Sequence, residues 1–294
     1  MNKSFELNFF IILPLERRPK AFFLFFFIPD IPLKKTPAES TIIGKEFKMS
    51  YFDTFYHIKM SPMSYYESID IDLSSLSGTD LYCDLTAMTE IEKRLEDIPA
   101  SACHFIDSGN FHYLSLVFLR KLKCKISLVV FDNHTDFKPP AFGGLTSCGS
   151  WILEAAKKIP AVERIYLIGT DEKLLNEDKA LIDSFNTGER RIYYSGLDEI
   201  LYAISCDKNS IYISLDKDVL KEQICPCNWS QGKMTISEIE SIIENINKDH
   251  RIIGIDISGG PHEDNEIKNE KNKEIDRKLS DFLAGLKPDP EMLP

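Results

Sequence analysis

The sequence predicts a three-layer α/β/α fold around a mostly parallel sheet, and three observations carry that expectation. From Ser68 onward, short apolar runs alternate with segments of helical periodicity. That order implies right-handed crossovers and a sheet covered by helices on both faces. One run, Ile126–Phe131, is apolar without polar alternation, the pattern of a strand buried on both sides. Acidic residues gather where such runs end, and parallel sheets collect ligands beyond the carboxyl ends of their strands.

Taken in order, residues 69–73 read as a first strand, 88–98 as a helix, 102–106 as a strand and 112–122 as a helix leading to the central strand 126–131. Pro139, Pro140, Gly143 and Gly144 mark a loop beside the acids, a natural pocket wall that Phe142 either lines or packs beneath. Residues 147–159 follow as a helix with Trp151 in the core, then strand 164–169, helix 173–185, strand 191–194, helix 197–204 and strand 211–215. Thr235 is an N-cap whose capping box is completed by Glu238, for a helix running to residue 246. The last core strand is 252–257. Beyond it Ile275, Leu279, Phe282, Leu283 and Leu286 recur at helical spacing, so an amphipathic helix is expected, packed on its own core or on a neighbouring copy in a homo-oligomer.

Composition narrows the function classes. At 294 residues, 43% hydrophobic and 28% charged, the chain can bury one sizeable core. A net charge of -11 argues against a nucleic-acid groove, which needs a clustered basic face. Seven cysteines without paired spacing read as reduced thiols of a cytoplasmic protein, and Cys225-Pro226-Cys227 is too tight for a zinc pair.

The first 48 residues stand apart. They hold eight Lys or Arg against five Asp or Glu, a balance of +3 that leaves -14 for the remainder, and nine of the nineteen phenylalanines. The apolar stretch 21–28 falls far short of the ~20 residues that cross a bilayer. The expected layout is an N-terminal extension (1–48) outside the fold, with translation starting at Met49 or Met60, a catalytic-type domain (49–262) and a charged tail (263–294). A membrane-surface anchor in the extension is the alternative; no membrane partner is expected for the core.

The chemistry concentrates at three strand ends. Asp132, His134 and Asp136 lie two apart, and an extended segment aims every second side chain to one side. Asp216 and Asp218 repeat that spacing after 211–215, and His112 follows the strand 102–106. The competing reading is a solvated loop with His134 hydrogen-bonded between Asp132 and Asp136. Four carboxylates carry charge enough for two divalent cations, with neutral imidazoles completing the shells. Carboxylate-rich, thiolate-free ligation favours Mn²⁺. Two such ions can activate a water for hydrolysis.

These residues carry a resemblance. Gly109-Asn110-Phe111-His112, Asp132-Asn133-His134-Thr135-Asp136 and Ser214-Leu215-Asp216-Lys217-Asp218, in this order and spacing, resemble the three metal-binding motifs of the ureohydrolases, the arginases and agmatinases, over residues 104–261. The resemblance implies two Mn²⁺ per chain, with His112 and Asp136 on one ion, His134 and Asp218 on the other, and Asp132 and Asp216 bridging. It also implies a metal-activated hydroxide that cleaves a guanidino C–N bond and releases urea.

Departures from the family pattern bear on substrate and proton transfer. The histidine-glycine pair that shuttles protons in arginases is matched by Cys148-Gly149, so Cys148, with Asp136 beside the metals, is the expected catalytic pair. The family glutamate that holds the guanidinium has no counterpart in Ser258-Gly259-Gly260-Pro261, and Glu263 is the nearest acid downstream. Phe111 stands where aspartate is usual, and Lys221-Glu222 replace Asp-Pro. In the loop 221–233, Asn228 and Gln231 are expected to orient substrate, with turn chemistry as the competing account, and Ser230 occupies the acid position of the related Asn-Trp-Asp-Gln-Gly run. The expected function is a dimanganese hydrolase of a small guanidino or amidino substrate. The alternatives are a metal-binding relative without catalysis, acting as a sensor or subunit, and a hydrolase of a different linear amide or amidine bond.

Overall fold

The computed structural model describes residues 8–14, 66–141, 143–186, 190–261 and 266–286. Among these residues ten strands and seven α-helices are formed: β1 (Asn8–Pro14), β2 (Tyr66–Asp72), β3 (Tyr82–Cys83), α1 (Leu85–Arg94), β4 (Cys103–Ile106), α2 (Ser115–Leu119), β5 (Ile126–Phe131), β6 (Thr146–Ser147), α3 (Trp151–Lys158), β7 (Val162–Ile168), α4 (Glu172–Phe185), β8 (Arg191–Tyr193), α5 (Leu197–Ser205), β9 (Ser210–Asp216), α6 (Ile236–Asp249), β10 (Ile252–Ser258) and α7 (Glu266–Gly285). The main sheet runs β2-β1-β4-β10-β9-β5-β7-β8. From β4 to β8 every pairing is parallel, and β1 joins antiparallel to β4.

The pleat sorts the strand residues into two cores. Along β5, Ile126, Leu128 and Val130 enter one core with residues of α1 to α4, whereas Val129 and Phe131 enter the other with residues of α5 to α7. The three expected layers are therefore present. β9 follows the same parity: Ile211, Ile213 and Leu215 belong to the second core, which turns Ser214 and Asp216 toward the first. Asp256 and Ser258 of β10 share that side, because Ile255 and Ile257 face the other.

Thr235 and Glu238 form the expected capping box of α6. The terminal helix packs on its own core, with Ile275 and Leu279 buried and Phe282, Leu283 and Leu286 half-buried beside them. Burying each of the first two contributes about 1.5–3 kcal/mol. α7 also holds a buried cation, for Lys217 Nζ donates to Asn272 Oδ1 and Asp276 Oδ1, both at 2.6 Å.

Some expected boundaries shift for physical reasons. The helix expected over 88–98 starts at Leu85, because Asp84 accepts from Ala87 N and caps it, and ends at Arg94. His112 lies on a 3-10 turn, Gly109–Leu114, capped by Ser108, and α2 begins only at Ser115. Within residues 1–48, Phe9 to Ile12 of β1 pair with Ile106 to Cys103. The chain divides into two units, Met1–Leu13 with Glu67–Pro294, and Pro14–Tyr66. The second lies outside the described residues except for its two ends, as do the apolar stretch 21–28, Met49, Met60, Phe142 and Glu263. No described helix is long and apolar enough to cross a membrane.

Candidate metal centre

β5 delivers the central motif. Its ladder extends one step past Phe131, where Asp132 N donates to Ile168 O at 3.1 Å, and then the chain turns. Asp132 Oδ1 accepts from His134 N at 2.6 Å, and Thr135 Oγ1 donates to Asp178 of α4. Asp136 takes a left-handed backbone, φ 44°. This corrects the extended geometry read from the sequence: continued alternation would have carried Asp136 away from a strand that ends at residue 131. A non-glycine residue in this conformation costs about 1–2 kcal/mol and persists when its surroundings over-determine it. Two groups do so here, since Trp151 Nε1 donates to Asp136 Oδ2 at 2.7 Å and Ile152 N to Asp136 O at 3.1 Å.

The remaining ligand-type residues arrive from β9 and from the turn after β4. β9 ends at Asp216, and a 3-10 turn, Lys217–Val219, brings Asp218 round with its N–H on Asp216 Oδ1 at 2.9 Å. Asp218 Oδ1 accepts from Asn133 N at 3.1 Å, and Asp216 Oδ2 accepts from Ser258 Oγ at 2.9 Å. Gly259, φ 96°, lies so close that a Cβ there would stand 2.3 Å from Asp216 Oδ1. Gly109 is similarly placed, its Cβ position 3.0 Å from Asp216 Oδ2 and 3.1 Å from the Trp229 ring. Backbone approaches the acids at both points, and at Gly259 the positive φ and the 2.3 Å approach require glycine.

All six residues converge. His112, Asp132 and Asp136 form one cluster with mutually close ligand atoms, and Asp132, His134 and Asp218 form a second that shares Asp132. His112 Nδ1 lies 3.3 Å from Asp132 Oδ2, 3.3 Å from Asp136 Oδ2 and 3.4 Å from Asp216 Oδ2. This nitrogen is buried without a hydrogen-bond partner. Ions bound at about 2.0–2.3 Å hold neighbouring ligands roughly 3 Å apart, so these separations fit a shared cation better than hydrogen bonds. In the second cluster His134 Nδ1 lies 2.8 Å from Asp218 Oδ2 and 3.5 Å from Asp132 Oδ1.

Electrostatics point the same way. Burial, then the charge of Asp132, pushes the Asp136 carboxyl up to about 7. Asp216 is raised by burial and Asp132, and Asp218 is raised well above the usual range by burial, Asp216 and Asp132. Burial opposes charge on both histidines, yet the carboxylates outweigh it, raising His134 to about 11 and His112 well above its ordinary value. Burial would also raise Asp132, but His112 and His134 hold it well below the carboxylate range. Four crowded acids that share two protonated imidazoles present a donor set that divalent cations fit.

The supporting groups include a serine inside a buried strand and the serine of the loop 221–233. Ser214 Oγ lies 2.8 Å from His112 Nε2, and Ser230 Oγ lies 2.9 Å from His134 Nε2. Ser230 also accepts from Asn133 Nδ2 through its carbonyl, 2.9 Å, so the residue at the related sequences' acid position supports two motif residues. Trp229, 37% exposed, sets its ring edge-on to His134 at 5.6 Å.

The expected substrate residues are otherwise engaged. Gln231 Oε1 accepts from Cys227 N, and its Nε2 donates to Cys225 O and Leu220 O, which ties the loop to itself. Asn228 accepts from Ser108 Oγ and donates to Asn110 Oδ1, joining that loop to the first motif. Local loop bonds account for the polar atoms of Gln231, whereas those of Asn228 are taken up by tertiary bonds to the first motif. Cys148 is buried at the start of a short turn before α3, with its N–H on Leu81 O. Burial first, then the charge of Asp136, pushes its thiol far up, so it stays protonated.

A parallel sheet whose strand ends assemble two imidazole–carboxylate clusters around a shared aspartate defines an α/β protein with a candidate binuclear metal centre. Residues 41–264 match the profile of the arginase family, and the chain belongs to that family. An uncharacterized protein of Thermotoga maritima is 30% identical over 157 residues, 53% of this chain and 57% of that protein, so the match spans little more than half of that relative. Among solved structures, Bacillus caldovelox arginase aligns with a TM-score of 0.52 at 17% identity, over 72% of this chain and 80% of that one. A Trypanosoma cruzi formiminoglutamase with Mn²⁺ aligns at 0.53 and 13%, over 69% and 72%. At these identities the two structures establish the shared fold.

Proposed function

We propose that the protein is a metal-dependent hydrolase of a guanidino or amidino C–N bond in a small molecule, with Mn²⁺ held by His112, Asp132, His134, Asp136, Asp216 and Asp218. The observation that carries this reading is the pair of clusters sharing Asp132, with His112 Nδ1 buried and unpartnered among three carboxylates. The T. cruzi protein of like fold is described with Mn²⁺, which supports the choice of metal. When bound, two such ions supply Lewis acidity that brings the pKa of water toward neutrality. The chain's own groups do the positioning. Trp151 fixes Asp136, Ser258 fixes Asp216, and Ser214 and Ser230 face the outer nitrogens of the two histidines. Cys148 carries a proton at Sγ, and with Asp136 and solvent it forms the proposed route to the leaving amine.

A second reading is favoured by Gly259. Its φ of 96° and the 2.3 Å between its Cβ position and Asp216 exclude a side chain near where the related enzymes carry a guanidinium-holding acid. This supports a substrate other than arginine or agmatine, or a non-catalytic metal-binding role. Elemental analysis of the purified protein with added Mn²⁺, joined to assays of urea and amine release from arginine, agmatine and simpler guanidines and amidines, separates the two. Two metals with product support the hydrolase; two metals without product favour the second reading; no metal ends both.

A further inference from the structure

Beneath the first motif lies a buried carboxylate that the proposed chemistry does not use. Asp256 sits at the centre of β10, fully buried, with its Oδ1 toward α2 and β9. Ser214 Oγ donates to Asp256 Oδ1 at 2.5 Å, and Ser115 Oγ donates to the same oxygen at 3.0 Å. Ser214 Oγ also lies 2.8 Å from His112 Nε2. A hydroxyl has one proton to give and two lone pairs to accept with. If that proton goes to Asp256, the contact with His112 is satisfied only when Nε2 carries a hydrogen and donates. In the neutral ring Nδ1 is then the atom with the lone pair, and Nδ1 faces Asp132, Asp136 and Asp216.

We propose that Asp256 is a positioning residue for His112: by taking the hydroxyl proton of Ser214 it makes Ser214 an acceptor for His112 Nε2–H and so turns the Nδ1 lone pair toward the metal centre. The direction of the chain depends on Oδ1 accepting, and a proton carried on the other oxygen of Asp256 leaves it unchanged. Nothing in the local sequence signals the role, for Asp256 is separated from His112 by more than a hundred residues and its spacing matches no ligand pattern. The proposal rests on the metal-centre reading.

Variants of the acceptor test it, with Mn²⁺ alone as the probe and metals per chain and Mn²⁺ affinity as the readouts. Asp256→Asn can keep an amide oxygen in the accepting position and is expected to retain two ions. Asp256→Leu removes the acceptor and frees the Ser214 proton to turn onto His112 Nε2, which favours the tautomer with hydrogen on Nδ1. It is expected to weaken the ion on the His112 side by about 10–100-fold, the usual range for an outer-sphere partner of a ligating histidine. Adding Ser214→Ala to Asp256→Leu removes the misdirected donor and is expected to regain most of that loss. A merely structural role predicts the opposite order, with the double variant the worst. Wild-type affinity in Asp256→Leu, or a double variant weaker than Asp256→Leu, overturns the proposal while two ions in the wild type leave the metal-centre reading standing.

Should Asp256→Leu fail to fold, ¹⁵N histidine spectra of the wild-type protein loaded with diamagnetic Zn²⁺ decide. His112 with hydrogen on Nε2 and metal on Nδ1 is expected; metal on Nε2 overturns the proposal. Wild-type protein that takes up neither metal ends the metal-centre reading and the proposal with it.

Discussion

Buried carboxylates sit at opposite ends of the same sheet, four at one and one at the other. At the carboxyl ends, Asp132, Asp136, Asp216 and Asp218 crowd together, and three of the four are pushed toward protonation by burial and by one another. At the other end Asp207 is equally buried but alone among donors. Ser127 Oγ at 2.5 Å, Tyr166 OH at 2.8 Å, the N–H groups of Lys208 and Asn209, and Arg164 all reach it. Burial would raise its carboxyl, yet these donors hold it below the ordinary value. A buried acid that the chain itself satisfies supports the fold; a group of acids that the chain leaves short of positive charge is fitted for an outside cation.

The sharpest way to break that contrast is to remove one acid from each end. Asp132→Ala or Asp216→Ala is expected to abolish binding of at least one ion and take metal-dependent turnover to background, read by elemental analysis and product release; unchanged turnover would remove the site assignment. Asp207→Ala is expected to cost about 3 kcal/mol by leaving several buried donors unpaired, with metal content unchanged. Urea denaturation measures it, and a cost near zero would mean that these donors find other partners.

Acidity separates the groups by sign. Asp136, Asp216 and Asp218 have folded pKa values above the unfolded value of about 4, so the metal-free native state keeps protons that the unfolded state has released, and each residue opposes folding as pH rises through that window. The raised histidines act in the same direction, their stabilisation complete below about 6.5 and lost as pH rises through the folded value, about 11 for His134. Asp132 is already ionised across this range and changes nothing. The Tm of chelator-treated protein is therefore expected to be higher at pH 5 than at pH 8, and the reverse order would refute this charge arrangement. Asp207 behaves oppositely: its contribution is present above about pH 4 and is lost as pH falls through its lowered folded value, so Asp207→Asn should flatten the acid limb.

The smallest expected change sharpens the comparison at a single hydrogen bond. Trp151→Phe keeps most of the core volume but removes the Nε1 donor from Asp136, and about a tenfold loss of Mn²⁺ affinity is expected in a titration. Full affinity would show that the left-handed backbone alone fixes Asp136.

Much of this was legible in the sequence, for identifiable reasons. β5 matches its expected bounds because an apolar strand covered on both faces has no polar register to blur, and the Thr235–Glu238 box marks its helix through local bonds alone. The six ligand-type residues were legible as residue types beside strand ends. Their geometry was not, since the positive φ of Asp136 is held by Trp151 and Ile152, and the turns after Asp216 and before α2 rest on side-chain caps from Asp216 and Ser108 that do not show in the apolar pattern. Asn228 and Gln231 illustrate the opposite limit: a side chain that can orient a substrate can equally bond a loop, and only the neighbours decide. Asp207 gave no signal, because what distinguishes it is its set of donors.

Lys217 stands between two of the proposed ligands, yet its ammonium is satisfied on the other face of the sheet by Asn272 and Asp276, 55 and 59 residues later. A ribosome adding about 5–20 residues per second releases that helix roughly 3–12 s after β9. Until the helix arrives, burying Lys217 leaves a charge uncompensated at a cost of about 3–5 kcal/mol, which disfavours settling the turn that carries Asp216 and Asp218. Metal capture is accordingly expected of the finished chain and not of the nascent one, and loss of the last helix should silence a site that it never touches.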